Sequence, residues 1–283
     1  MAPEHPIARV PGSGADALVE RDGTGVVRTA SGRFLRLQNP PPGLIGALAG
    51  APEAGTPAGG EAARAYAERL AAETAEREDG DAERRWPSAR RNTALVGRGA
   101  VADALADALA GWGAAPARFP GGAELPAAGG EHPWDLVIAY ADSPAERAGW
   151  DLLDTLPGRG TAWLRGYREG EVCFVDPVCV SPGDPAAEQV RRRRLAASPA
   201  PRGLDAWQRA SAAPAGELPL PARTLLAARI LTVALAWARQ ADTLDGYRGT
   251  LWRFAAATGE ISEHPVLGYD APPPLAERPD RPS

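Results

Sequence analysis

The chain of 283 residues contains no lysine; all 31 of its Lys/Arg side chains are arginine. A Walker-type lysine, a Schiff-base lysine and a lysine general base are therefore excluded. Sulfur and imidazole are scarce as well, with two cysteines, one methionine and three histidines. Two cysteines make neither a disulfide framework nor a four-ligand zinc site. If 172–180 is one continuous strand, the even spacing of Cys173 and Cys179 puts both on one face, as buried free thiols. Positive charge is in deficit: a net charge of −5 and a pI near 5.4 give no general affinity for nucleic acid. The longest apolar run, Thr224–Ala238, is interrupted by Arg229 and is too short to span a bilayer. The first residues lack the basic-then-apolar order of a secretory signal. The expectation is a cytoplasmic protein without membrane association.

What is abundant is glycine and proline, 32 and 29 residues, clustered at 40–60, 113–133, 182–185, 200–221 and 272–282 as turns, linkers and a loose tail. Between the clusters, the runs 17–21, 25–29 and 33–37 are β-prone and are separated by Asp22-Gly23 and Ser31-Gly32 at hairpin-like spacing. A three-stranded meander is expected, then a short helix started by Pro40-Pro41-Pro42. The Ala/Glu/Arg-rich segment 61–78 predicts a helix with a weak apolar stripe, at the rim of a small domain or beside a groove. Residues 79–91, ending in Trp86-Pro87, read as a charged linker. Beyond it strands alternate with helices: strand 93–96, helix 100–110, strand 135–140, helix 145–156, and strands near 161–165 and 171–175. That alternation predicts an α/β fold with a mainly parallel sheet. An arginine run and a Pro/Ala-rich loop then precede a helix over 218–241, apolar nearly all round, which is buried or packs in a dimer. Residues 251–262 read as a strand, a turn and a return strand.

Candidate chemistry is thin. Gly97-Arg98-Gly99 follows a strand and opens a helix, the context of a phosphate-binding turn, with Ala102 in the third glycine position. The ribose-binding acid that should follow is offered only by Glu124, in a Gly/Pro loop; the alternative is a Rossmann-like fold that keeps its tight turn without a nucleotide. His5, His132 and His264 lie near no recognisable nucleophile frame. Asp135 and Asp142 bracket one strand at odd spacing, as turn and cap residues rather than a catalytic pair. Arg191–Arg194 reads as a solvated helix face, against an anion or partner contact.

Four stretches carry a resemblance: GVVRTASGRFLRL at 25–37, TALVGRGAVADALADAL at 93–109, DLVIAYADSP at 135–144, and TAWLRGYREGEVCFVDPVCVSPGDPAAEQVRRRRLA at 161–196. Together they resemble the ocin-ThiF-like, E1-like partner proteins of azoline-forming YcaO cyclodehydratases. The resemblance implies a winged-helix-like RiPP recognition element with its linker at 1–90 and a degenerate Rossmann-like E1 (ThiF-like) domain at 91–283. It implies a non-catalytic, cofactor-free subunit that binds the leader of a precursor peptide and delivers it to the cyclodehydratase. Such subunits serve the biosynthesis of thiopeptides and linear azole peptides.

In the family the leader adds as a strand to the third strand of the meander, with a helix as the opposite wall. Carried over here, the peptide-binding residues are Arg33, Phe34, Leu35, Arg36 and Leu37, with Tyr66 and Arg69. Arg33 and Arg36 suit an acidic leader. Phe34 or Leu35 lines an apolar pocket, depending on which way the strand faces. The meander could instead be a structural hairpin sheet that covers the second domain. The family's C-x-x-C zinc knuckle falls, in register with Pro182-Gly183, at Ala187 and Val190, and no cysteine follows His264-Pro265. The resemblance thus implies a zinc site whose ligands are all absent. Two other classes stay open: a nucleotide- or NAD-dependent enzyme using Gly97-Arg98-Gly99, and a homodimeric scaffold built on 218–241 without a peptide ligand.

Overall fold

The computed structural model describes residues 7–50, 57–125, 134–209 and 216–268, so His5, His132 and the 272–282 tail lie outside the described residues. The chain divides into two compact units, Met1–Arg84 and Arg85–Ser283.

The first unit is a four-stranded antiparallel sheet in the order β1-β2-β3-β4, formed by Ile7–Arg9, Asp16–Val19, Gly25–Arg28 and Phe34–Leu37. The expected meander is β2-β3-β4. β1 was not expected, because three residues flanked by prolines carry no period that sequence can read. Both meander turns close three-residue loops, with Glu20 N–H donating to Thr24 O and Thr29 N–H to Arg33 O. Gly23 and Gly32 take the left-handed position that such loops require, at φ 83° and 81°. Helix α1, Leu44–Leu48, follows the prolines. Helix α2 spans Pro57–Arg85, so most of the expected linker is helical: Ala, Glu and Arg sustain a helix without any apolar demand. Ala17, Val27, Leu37, Leu44 and Leu70 form the core of the unit.

The second unit is built on a seven-stranded sheet in the order β11-β10-β9-β8-β7-β5-β6. β5 (Thr93–Val96), β6 (Ala117–Phe119), β7 (Leu136–Ala141) and β8 (Ala162–Glu169) pair in parallel. β9 (Val172–Val175), β10 (Thr250–Ala255) and β11 (Glu260–Pro265) continue the sheet antiparallel, so it is mixed rather than mainly parallel. The cause is local: Gly170 joins β8 to β9 by a tight turn that leaves no room for a crossover helix. The return strand expected after 251 is β11.

Helix α3, Gly99–Gly111, agrees with expectation. The expected helix 145–156 is instead a 3-10 turn at Ala145–Arg147, the short α4 at Trp150–Leu153 and a second 3-10 turn at Leu156–Arg159. Gly149, at φ 83°, and Pro157 interrupt it. Helix α5, Ala187–Ala197, carries the arginine run, and the expected Pro/Ala loop contains α6, Pro201–Gln208, with Pro201 in its first turn. Helices α7, Leu220–Arg239, and α8, Leu244–Arg248, precede β10. By length and composition α7 could cross a bilayer; here Leu226, Ile230, Val233 and Trp237 pack it into the core against one face of the sheet.

The two cysteines do not share a face. β9 ends before Asp176-Pro177, because proline cannot donate to the ladder. Cys173 joins the core on the α7 side and Cys179 the core on the other. Both are free and buried, and burial raises their thiols to about 12 and about 11.

Candidate peptide-binding groove

β4 is an edge strand, paired only with β3 in the register Val27↔Leu35 and Val26↔Arg36. The Thr29–Arg33 hydrogen bond fixes the alternation, so residues 33, 35 and 37 direct their backbone groups to β3. The N–H and C=O groups of Phe34 and Arg36 therefore point off the open edge. α2 runs antiparallel beside β4: Tyr66 Oη donates to Gln38 O at 3.0 Å near one end, and Ser31 Oγ to Asp81 Oδ2 at 3.4 Å near the other.

Between these elements lies a groove of about 450 Å³. Val27, Leu35 and Leu37 line the sheet side, Tyr66, Leu70 and Thr74 an inner row on α2, and Arg69, Glu73 and Arg77 an outer, exposed row. Arg36 and Gln38 complete it. Arg69 also stacks on Tyr66, with Cζ 5.5 Å from the ring centroid.

The structure thus brings together Leu35, Arg36, Leu37, Tyr66 and Arg69. Arg33 and Phe34 are exposed and do not line the groove, and Phe34 is 69% exposed on the opposite face from Leu35. Of Phe34 and Leu35, Leu35 is the one that lines the groove. Leu70, Glu73, Thr74 and Arg77 were not anticipated, although continuing the helical spacing from Tyr66 would have found them.

The glycine turn of the second unit sits where the parallel strand order reverses, between β5 and β7, the usual ligand crevice of a doubly wound sheet. At Gly97, φ 131°, a Cβ would lie 2.3 Å from Tyr140 O, so only glycine permits this approach. The crevice measures about 170 Å³, below the roughly 300 Å³ at which small-molecule pockets begin. Arg168 crosses it, paired with Asp142 at 2.6 Å and donating to Gly216 O at 2.5 Å. Tyr140 Oη donates to Asp142 Oδ1 at 2.5 Å, and burial, then this bond, raise the phenol above its ordinary range. Glu124 is exposed in a 3-10 turn past the end of β6, not at a strand end. Asp135 caps, accepting Asn92 N–H at 3.0 Å. His264 is exposed on β11 with Ser262 Oγ 3.0 Å from Nε2.

A larger cavity, about 560 Å³, borders the N-terminal part of α5. Several of the charges around it are paired. Arg165, fully buried, donates to Asp176 at 2.9 Å, Asp154 at 2.7 Å and Pro185 O at 3.2 Å. Arg194 pairs with Glu169 and lies 4.0 Å from the centroid of Phe174, while Arg147 pairs with Glu169 at 3.2 Å. The arginine run is therefore not simply a solvated face. Arg191 and Arg194 anchor α5, the former to Glu188 and Asp205, and only Arg192 and Arg193 are exposed.

The positions implied for a zinc knuckle do not fit a metal. Ala187 and Val190 carry no donor atom, and Val190 is 1% exposed in the same apolar core as Val266, just past β11. Gly183 and Gly268 meet so closely that a Cβ on Gly268 would lie 2.2 Å from Gly183 O.

No known family profile and no curated protein matches the chain. Solved structures do. A chain of the E. coli microcin synthetase McbBCD complex with pro-MccB17 bound is 12% identical over 94% of this chain and 98% of that one, with TM-score 0.49. E. coli MccB with MccA is 10% identical over 94% and 96%, with TM-score 0.45. A heterocyclase in complex with substrate and cofactor is 14% identical over 94% of this chain, with TM-score 0.45, and this chain spans 37% of its length. Identities this low say nothing about ligand or activity.

Proposed function

We propose that this chain is a non-catalytic partner in the biosynthesis of azoline-containing ribosomal peptides. Its first unit holds the leader of a precursor peptide, and its second docks on a YcaO-type cyclodehydratase in the cytoplasm. The observation that carries the reading is the open edge of β4 facing α2. Two outward-pointing backbone positions, Phe34 and Arg36, lie beside a groove with an apolar floor and a charged rim. An extended peptide added there would gain main-chain hydrogen bonds from the edge and side-chain selection from the groove. The crossing of the glycine-turn crevice by Arg168 favours this role over the nucleotide-dependent alternative.

The test uses a fluorescein-labelled leader from a short precursor gene neighbouring a YcaO gene. Leu35→Glu, on the groove face of β4, weakens binding at least tenfold, about 1.4 kcal/mol. Arg33→Glu, outside the groove, changes it by less than about twofold, within the range of exposed charges. Unchanged affinity in Leu35→Glu removes the groove assignment.

A further inference from the structure

Resting on that reading, we infer that the groove selects its peptide by a charge comb: an acidic, a basic and an acidic side chain at alternate positions of an extended strand. The outer row of α2 is Arg69, Glu73 and Arg77, all exposed and all lining the groove. Four residues apart, they lie on one face of the helix and rise about 6 Å per step, about 12 Å in all. A strand added beside β4 places alternate side chains toward α2 about 6.7 Å apart, so residues i, i+2 and i+4 cover about 13 Å. Helix and strand run alongside each other, held by the Tyr66–Gln38 and Ser31–Asp81 hydrogen bonds, so the two repeats stay in step over this length. The arrangement cation–anion–cation on α2 is complemented by anion–cation–anion on the peptide. Because the comb is palindromic, it works in either strand direction.

All three side chains are exposed, Arg69 with its guanidinium over the Tyr66 ring. The Arg9–Asp16 and Arg84–Asp81 pairs of this unit involve none of Arg69, Glu73 and Arg77. Glu73 matters most to the inference, since without it the groove would ask only for net negative charge. The inner row of Tyr66, Leu70 and Thr74 lies deeper and is half-buried or buried, so charge selection is confined to the rim and weakens with salt.

The experiment measures binding of three labelled peptides to the full chain by fluorescence polarisation at low and high salt. The comb peptide is Thr-Val-Thr-Glu-Thr-Lys-Thr-Glu-Thr-Val-Thr, which sets Glu, Lys and Glu on one face. The second peptide inverts the charges to Lys, Glu, Lys; the third keeps the first one's composition but orders them Glu, Glu, Lys. The comb peptide is expected to bind about tenfold more tightly than the inverted one and about threefold more tightly than the permuted one, with both gaps narrowing in high salt. The triple variant R69E/E73R/R77E, changed only at exposed positions, is expected to prefer the inverted peptide. Equal binding of the comb and permuted peptides, or of all three, overturns the comb while leaving a peptide groove in place. Failure of every peptide to bind overturns the comb and the groove together.

Discussion

Arg194 and Glu169 show how a single side chain changes meaning between sequence and structure. In sequence Arg194 is the last of four arginines; in the fold it is nearly buried, bonded to Glu169 and with its guanidinium carbon 4.0 Å from the centroid of the Phe174 ring. Burial would push the Glu169 carboxyl up, but the hydrogen bonds and charge of Arg194, with the charge of Arg147, outweigh it and hold it below the ordinary range. A carboxyl lowered on folding contributes its full stability above its unfolded value, near 4.3, and loses it as the pH falls through the lower folded value. Glu169→Gln should therefore cost about 3 kcal/mol at pH 7. It should also flatten the acid limb, losing less stability than the wild type between about pH 5 and pH 3. Urea melts across that range check both, and parallel acid limbs would show that Glu169 is not the titrating partner.

At the scale of elements, the region that resembles a metal knuckle is held by packing. The start of α5 is tied to Asp154, which accepts Ala187 N–H at 2.9 Å and is itself bonded to Arg165. Val190 packs into the core that also holds Val266 and Leu251. A structural zinc contributes folding energy that chelation removes, whereas apolar burial is indifferent to chelators. The purified protein should carry well under about one zinc per chain, and EDTA should leave its melting temperature unchanged. Elemental analysis and a thermal melt measure these, and stoichiometric zinc would overturn the packing account. The element pattern was readable where one period ran unbroken: the β2-β3-β4 meander, α3, α7 and the apolar run of β7. It failed where short-range chemistry decided, as at Gly149 and Pro157, which split the expected 145–156 helix, and at Pro177, which ends β9 and separates the two cysteines.

For the molecule as a whole, sequence indicated an α/β chain with a small β-rich unit ahead of a larger sheet, and the family resemblance grouped Arg33, Phe34, Leu35, Arg36, Leu37, Tyr66 and Arg69, of which Arg33 and Phe34 do not line the groove. It could not show that Phe34 faces away, because that depends on the register set by the Thr29–Arg33 turn. Nor could it show that Arg168 crosses the glycine-turn crevice, because the partners Asp142 and Gly216 come from distant parts of the chain. The central claim is that the full chain receives an extended peptide along β4 and not along β1, the other edge of the same sheet. Residue-resolved amide hydrogen exchange of the full chain, with and without saturating comb peptide, tests it most directly. The account predicts slowed exchange at the Phe34 and Arg36 amides, with Ile7–Arg9 unchanged. Protection at Ile7–Arg9 instead, or bound peptide with no protection at Phe34 and Arg36, would contradict it.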